Sequence, residues 1–370
     1  MMALSSSTPR ATINDVARAA GVSRQTVSNA INAPERVRPE TLDRVLRQID
    51  LLGYRPSASA RSMRSRRAGA VGMEINAVTR YASDVAQPML TELTVQAPRF
   101  DVHLVPFAHG SVFPAVEGYQ EMVRRSLVDA FVFADTHTGD PRPDWLVEEQ
   151  IPFATFGRIY GHPELTCWVD VDGRAGTAAA VEHVVDRGYG AVGYLGWPRH
   201  EQDGAVTEDR REGWSTAVDR LGARGPEGET PQELGAAMDA ARVLLDDLRP
   251  GDAVVCGSDL IGLGVAYAAA ERGLQVGVDL GIVGFDGSVV AARHGLTTVV
   301  QPFDALAERM LRVVHDQLAG SAPPPSDQLL TPTLTPGAST DRDHRGSTPI
   351  PLPCPGSRRD PRRREEGTTP

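Results

Sequence analysis

The stretch Thr12–Asn32, TINDVARAAGVSRQTVSNAIN, leaves room for little but two short helices joined by a tight turn. Ile13, Val16, Ala17 and Ala20 recur at helical spacing, so one face of the first helix is apolar. Gly21 supplies the sharp turn that helix-turn-helix units often require. Ser23 is suited to cap the second helix, and Val22 and Val27 can pack across that cap as a hydrophobic staple. Val27, Ala30 and Ile31 then face inward and leave Arg24, Gln25, Ser28 and Asn29 outward. Hydrogen-bonding side chains on the first turns of such a second helix meet base edges in the DNA major groove. An ordinary amphipathic helical hairpin is the competing reading at this point.

Charge favours the first reading. The net charge of −10 looks wrong for a DNA-binding protein until it is divided along the chain. The first 68 residues carry twelve Arg against five acidic residues, a surplus of +7, which leaves −17 on the remaining 302. A basic head on an acidic body fits a nucleic-acid contact confined to one end. All 38 basic residues are Arg, which favours planar bidentate contacts, although genome composition explains it better than selection for function. Cys167, Cys256 and Cys354 are widely spaced and form no Cys-x-x-Cys pair, so neither a disulfide framework nor a zinc site is expected. No signal-like apolar run opens the chain, and no stretch approaches roughly 18 uninterrupted apolar residues. A cytoplasmic protein without cofactor, metal or membrane span is therefore expected.

A third helix begins at Pro39, with Leu42, Val45, Leu46, Ile49 and Leu52 as its apolar stripe and Gly53 to end it. With this helix in place the sequence ATINDVARAAGVSRQTVSNAIN…VRPETLDRVLRQIDLLGYRPSASARSM resembles the head of the lactose-repressor (LacI) family of bacterial transcription regulators. The GVS turn, the P-E-T start of the third helix and the LGY-x-P exit carry the resemblance over almost sixty residues. It implies that Arg24 and Gln25 read bases, with Thr12, Ser23, Thr26, Ser28, Asn29, Arg38 and Tyr54 as further DNA contacts. Asn29 stands where many relatives have Arg, and Asn prefers adenine where Arg prefers guanine. Arg38 stands where the family usually has a capping Ser, a loss of about 1 kcal/mol that a phosphate contact would offset. A plain solvated Arg38 is the alternative. Residues 57–64, SASARSMR, resemble the family's hinge, which folds on the operator. The resemblance gives Ser57 and Ala60 contacts there and makes Met63, in place of the usual Leu, a wedge in the minor groove. The other possibility for Met63 is packing on the body. Arg61, Arg64, Arg66 and Arg67 would add phosphate contacts.

From Gly69 onward, short apolar runs alternate with helical patterns. Candidate strands include 70–75, 102–107, 130–133, 153–156, 168–171, 191–195, 253–256, 282–285 and 297–300. Candidate helices between them include 175–186, 210–221, 236–248, 260–272 and 303–318. Such alternation means parallel sheets covered on both faces. The stretches WVDVDGRAGTAAAVEHVVDRGYGAVGYLG, EDRREGW, CGSDLIGLG, IVGFDGS and TTVVQPFDALA resemble the same family's periplasmic-binding-protein-like core. The expected fold is thus an all-α helix-turn-helix head plus an α/β core of two doubly wound half-domains. The head is placed at 11–56, the hinge and linker at 57–68 and the core at 69–340, with disordered ends at 1–10 and 341–370. Within the core, 69–165 and 299–325 fall to the first half and 166–298 and 326–340 to the second.

By position the resemblance places effector contacts at Asp172, Arg210, Asp259 and Asp286, joined by Arg158, Trp168 and Trp214, with Tyr160 as a further aromatic platform. Charged partners strengthen hydrogen bonds to neutral hydroxyls, and aromatic faces suit a pyranose, so a sugar is the expected ligand. Asp259 and Asp286 can alternatively cap the helices that follow them, and Trp214 can be core. Ser258 and Gly287 depart from the family pattern, and the short loop 222–230 suggests that an edge strand is missing. The stretch NAVTRYASDVAQPM after the first strand lacks the family's usual run and receives no contacts. The function expected is a homodimeric repressor of carbohydrate genes, released from a pseudo-palindromic DNA operator by a sugar. A corepressor-dependent regulator that responds to a purine is the runner-up. An enzyme or carrier is disfavoured because no Walker loop, nucleophile elbow or dinucleotide fingerprint is present.

Overall fold

A computed structural model of the chain describes residues 11–54, 67–76, 85–109, 116–199, 204–321 and 328–343. The hinge with Ser57, Ala60 and Met63, residues 77–84 and the ends 1–10 and 344–370 lie outside the described residues. The chain divides into two compact units, one ending at Ala68 and the other beginning at Gly69.

The smaller unit holds α1 (Ile13–Ala20), α2 (Arg24–Asn32), a short 3₁₀ turn (Pro34–Arg36) and α3 (Pro39–Leu52). Thr12 caps α1 reciprocally with Asp15: the Thr12 hydroxyl accepts from the Asp15 N–H, and the Asp15 carboxylate accepts from the Thr12 N–H at 2.9 Å. Gly21 is left-handed at φ +62°, where a side chain would be strained, and its N–H returns to Ala17 and Arg18. Ser23 caps α2 by accepting from the Thr26 N–H at 3.1 Å. Val16, Ala17, Ala20, Val27, Ala30 and Val45 form the buried core, and Val22, Leu42, Ile49 and Tyr54 pack around it.

The larger unit contains two six-stranded sheets. The first has the order β11-β5-β4-β3-β1-β2, all parallel. Its strands are β1 (Ala70–Asn76), β2 (His103–His109), β3 (Ala130–Phe133), β4 (Phe153–Phe156), β5 (Trp168–Val171) and β11 (Leu329–Leu330). The second has the order β12-β10-β9-β8-β6-β7 and is parallel except for β12. It comprises β6 (Val192–Gly196), β7 (Arg224–Glu229), β8 (Asp252–Cys256), β9 (Leu280–Asp286), β10 (Thr297–Val300) and β12 (Thr333–Thr335). Runs such as Ala130–Phe133 and Leu280–Asp286 are buried throughout, as parallel strands covered on both faces must be.

The connecting helices are α4 (Ala86–Gln96), α5 (Glu117–Arg124), α6 (Pro141–Glu148), α7 (Gly173–Asp186), α8 (Gly204–Leu221), α9 (Leu234–Leu244), α10 (Asp259–Glu271), α11 (Val289–Arg293) and α12 (Phe303–Leu318). Helix α12 packs on α4, β4 and β5, so the chain returns to the first half for that helix.

The expected half-domain boundaries need correcting. Trp168–Val171 and Leu329–Leu330 belong to the first sheet, whereas Thr297–Val300 lies wholly in the second. The chain therefore crosses after Val171, after Val300 and between Leu330 and Thr333. The reason is that a strand is one hydrogen-bonded ladder: Thr155 pairs with Trp168 and Asp170 with Leu329, so crossing must wait for the strand's end.

A second correction concerns the edge strand, which is present as β7. Its sequence RGPEGE shows no apolar alternation, and it is held by its backbone against β6. A β-carbon at Gly225 would stand 2.7 Å from the backbone of Val192 and Gly193, and Pro226 is tolerated because the strand is an edge.

Candidate DNA-reading face and ligand site

On α2, Arg24 and Gln25 are exposed, and Thr26, Ser28 and Asn29 are half-buried. The Gln25 amide donates to the Asn29 side-chain oxygen at 3.0 Å. These two residues, one turn apart, present a joined amide surface in which Gln25 sets the orientation of the Asn29 side chain. Ser23 and Thr26 share a hydroxyl–hydroxyl bond of 2.9 Å beside the cap. Thr12 and Ser23 thus serve local structure with the same atoms that DNA contact would use. Arg38 is exposed at the start of α3 and gives that helix no side-chain cap.

In the larger unit, the carboxyl ends of β6, β8, β9 and β10 bring together Trp197, Gly257, Asp286 and Gln301. Arg210 of α8 inserts here with 5% exposure, donating to the Gly257 carbonyl and standing 3.5 Å from the Asp286 carboxylate. Its guanidinium lies 3.6 Å from the Phe285 ring centre and 5.1 Å from that of Trp197. Asp286 sits at φ +121°, a strained value for a non-glycine residue, and accepts from the Gln301 amide at 2.6 Å. Two buried atoms here have no hydrogen-bond partner among the described residues: Arg210 Nε, a donor, and Gln301 Oε1, an acceptor. Orphaned buried polar atoms call for an explanation, and a bound polar ligand supplies one.

The other expected contacts distribute differently. Trp214 is fully buried, donates to the Val192 carbonyl at 2.9 Å and stacks on Tyr194, so it is core. One helical turn separates it from Arg210, which gives it the same face but places it deeper along the sheet. Asp259 is also fully buried, and its two oxygens accept from the Thr298 hydroxyl and from the Ser288 N–H at 2.6 Å. It ties β10 to the start of α11, so the ligand-contact assignment does not hold for it. The capping alternative is displaced by one or two residues, since Ser258 caps α10 and Ser288 caps α11. Asp172 does cap a helix, accepting from the Ala175 N–H at 2.8 Å at the head of α7. Trp168 and Tyr160 are half-buried, Trp168 at the first position of β5. Arg158, just past β4, donates to Asp209 of α8 at 2.6 Å and so bridges the two halves. The Gly of the Arg-x-x-Gly-aromatic run, Gly213, is there for packing, because a β-carbon would collide with the Arg174 backbone oxygen of α7.

Sequence reasoning missed Trp197, Gln301, Asp209 and Asp170. The pair Asp170 and Asp172 in WVDVDG did carry a signal, since alternate strand residues share a face. Asp170 is buried, and that burial raises its carboxyl to about 6 against the pull of Arg158 and Arg210. A raised pKa means that the folded state holds the proton more tightly. Stability is therefore fully present below about 4 and is lost as pH rises through about 6, by about 3 kcal/mol in all. Asp170→Asn is expected to be the more stable protein at pH 8, with the advantage fading by pH ~4; denaturant titrations at both values check it, and equal advantages would contradict it.

Among the described residues no helix is long and apolar enough to cross a membrane, and no three His, Cys, Asp or Glu side chains are grouped to hold a metal ion. Residues 12–57 match the model for bacterial regulatory proteins of the lacI family, and residues 181–340 match that for a periplasmic binding protein-like domain. The HTH-type transcriptional regulator CelR of Thermobifida fusca is 30% identical over 332 residues, covering 85% of this chain and 94% of that protein. IpsA of Corynebacterium glutamicum, also an HTH-type transcriptional regulator, is 30% identical over 312 residues, covering 79% and 87%. Among solved structures, a CelR–cellobiose complex superposes with a TM-score of 0.64 at 27% identity, over 89% of this chain and all of that one. The lac repressor dimer on its operator shares the fold, with a TM-score of 0.68 at 22% identity over 90% and 99% of the two chains. A capped helix-turn-helix, a two-sheet core with an arginine at its strand ends and relatives matched almost end to end place this chain in the lacI family of bacterial regulatory proteins.

Proposed function

We propose that this protein is a homodimeric, cytoplasmic transcriptional repressor, not an enzyme, that leaves its operator when a sugar enters the core. The observation that carries the ligand half is the Arg210–Asp286–Gln301 group with its one orphaned donor and one orphaned acceptor. Adjacent hydroxyls, each donor and acceptor at once, match such a pair, and the half-buried ring of Trp197 beside them suits the apolar face of a pyranose. Relatives support the class: one solved relative holds cellobiose, and the ribose operon repressor of Escherichia coli is 29% identical over 346 residues.

Two copies of the head would read the two halves of a pseudo-palindrome, with Arg24, Gln25 and Asn29 on base edges and Arg38 toward phosphate. Ser57, Ala60 and Met63 would complete the contact through the minor groove. Effector release of DNA is limited by how well the sugar discriminates between the two states of the core.

Gel-shift titration with DNA from upstream of its own gene, with and without a panel of sugars, tests the reading. Expected is binding that one sugar weakens; tight binding of guanine or hypoxanthine with strengthened operator affinity would overturn it. Arg24→Ala is expected to weaken operator binding on the order of tenfold to a hundredfold.

A further inference from the structure

The start of α8 carries two consecutive charged residues that reach in opposite directions. Arg210 enters the strand ends of its own half, whereas Asp209 reaches the other half and accepts from Arg158 at 2.6 Å. The Asp209 side chain is only 12% exposed and that of Arg158 34%, so the pair is partly sheltered from water. Arg174 of α7, from the same half as Asp209, stands 3.5 Å from its other oxygen and is also paired with Glu212. The loop that presents Arg158 is fixed in turn, by Gly157 at φ +96° and by the Thr136 hydroxyl donating to the Arg158 carbonyl.

We propose that Asp209 is a positioning residue for effector binding: through Arg158 it draws the two halves to the separation at which a ligand can touch both. Three observations give the pair this role rather than that of a fixed brace. The shelter strengthens it above an open surface pair. Separation does not strand a charge, because Asp209 keeps Arg174 and the half-exposed Arg158 regains water. And Asp209 is covalently next to Arg210, so any shift of α8 that makes or breaks the bridge also moves the ligand's principal contact. The pair thus sets the fraction of molecules that are ligand-competent, and the apparent affinity scales with that fraction.

The sugar arm of the test rests on the proposed function, and a ligand-free arm does not. In the ligand-free arm, nitroxide labels at Glu148→Cys of α6 and Asp239→Cys of α9, in a Cys354→Ser background of the full chain, report the distance between halves. Asp209→Asn and Arg158→Met are expected to lengthen or broaden that distance, and Arg158→Lys, which keeps the charge, to restore most of it. In the unsubstituted protein, raising salt from ~0.05 M to ~1 M is expected to move the distance the same way. In the sugar arm, calorimetry is expected to show affinity about three- to tenfold weaker for Asp209→Asn. Unchanged distances in both charge-removing variants, with melting curves showing them folded, would overturn the proposal. Changed distances with no sugar bound by any form would leave the bridge standing and bring down the sugar reading instead. If Asp209→Asn fails to fold, Arg158→Met alone decides.

Discussion

Arg142→Met is expected to destabilise the larger unit by about 3–5 kcal/mol, the usual cost of removing one partner from a buried ionic group. Arg142 is 2% exposed at the start of α6, where its guanidinium serves acceptors from three separate places in the chain. It pairs with Glu74 of β1, bonds the Asp140 carboxylate at 3.0 and 3.1 Å through Nε, and donates to the carbonyls of Ala134 and Asp135 at 3.1 Å each. Tyr119 completes the group by donating to Glu74 at 2.8 Å, and the Phe133 ring lies 4.5 Å from the guanidinium. Methionine fills much of the volume but leaves two carboxylates, 7% and 2% exposed, without their cation. Adding Glu74→Gln is expected to recover part of the loss, because one uncompensated charge is then gone. Chemical denaturation followed by circular dichroism checks both; a loss below about 1 kcal/mol for the single variant would show the group to be hydrated.

The second large effect concerns function. Arg210→Leu is expected to weaken sugar binding on the order of tenfold to a hundredfold, the worth of the charge-assisted hydrogen bond that its orphaned Nε would make in a sheltered site. Operator affinity without sugar is expected to stay within about twofold, since the head is a separate unit with its own core. The phenotype is a repressor that no longer lets go. Gel shifts across a sugar titration measure it, and Arg210→Lys separates charge from shape: lysine keeps the cation but not the planar stack on Phe285. Release by sugar at ordinary concentrations in Arg210→Leu would contradict the site.

Local signals were readable in the sequence and long-range partnerships were not. Gly21, Ser23 and the apolar stripes of α1 and α2 act within a few residues, and the structure finds them in those roles. The Arg-x-x-Gly-aromatic spacing singles out Arg210 and Trp214 alike, because they share a helix face, and only depth along the sheet separates the strand-end arginine from the core tryptophan. The capping alternative for Asp259 passes to a neighbour, because Ser258 reaches the helix N–H groups while Asp259, one position on, turns to Thr298. The Glu74–Arg142 and Arg158–Asp209 pairs join residues 68 and 51 apart, and nothing in either local stretch announces the other. Strand β7 was invisible for a different reason: its ladder is made by backbone, and its side chains carry no pattern.

The three passages of the chain between the two sheets, after Val171, after Val300 and between Leu330 and Thr333, have a mechanical consequence. One connection would leave two bodies free to swing and spin, and two would still permit a twist about the line joining them. Three side-by-side strands of chain resist shear and torsion and leave bending as the soft direction. Whatever enters between the sheets therefore acts on a single angle, and ligands of different fit would differ only in where along that angle they hold the core.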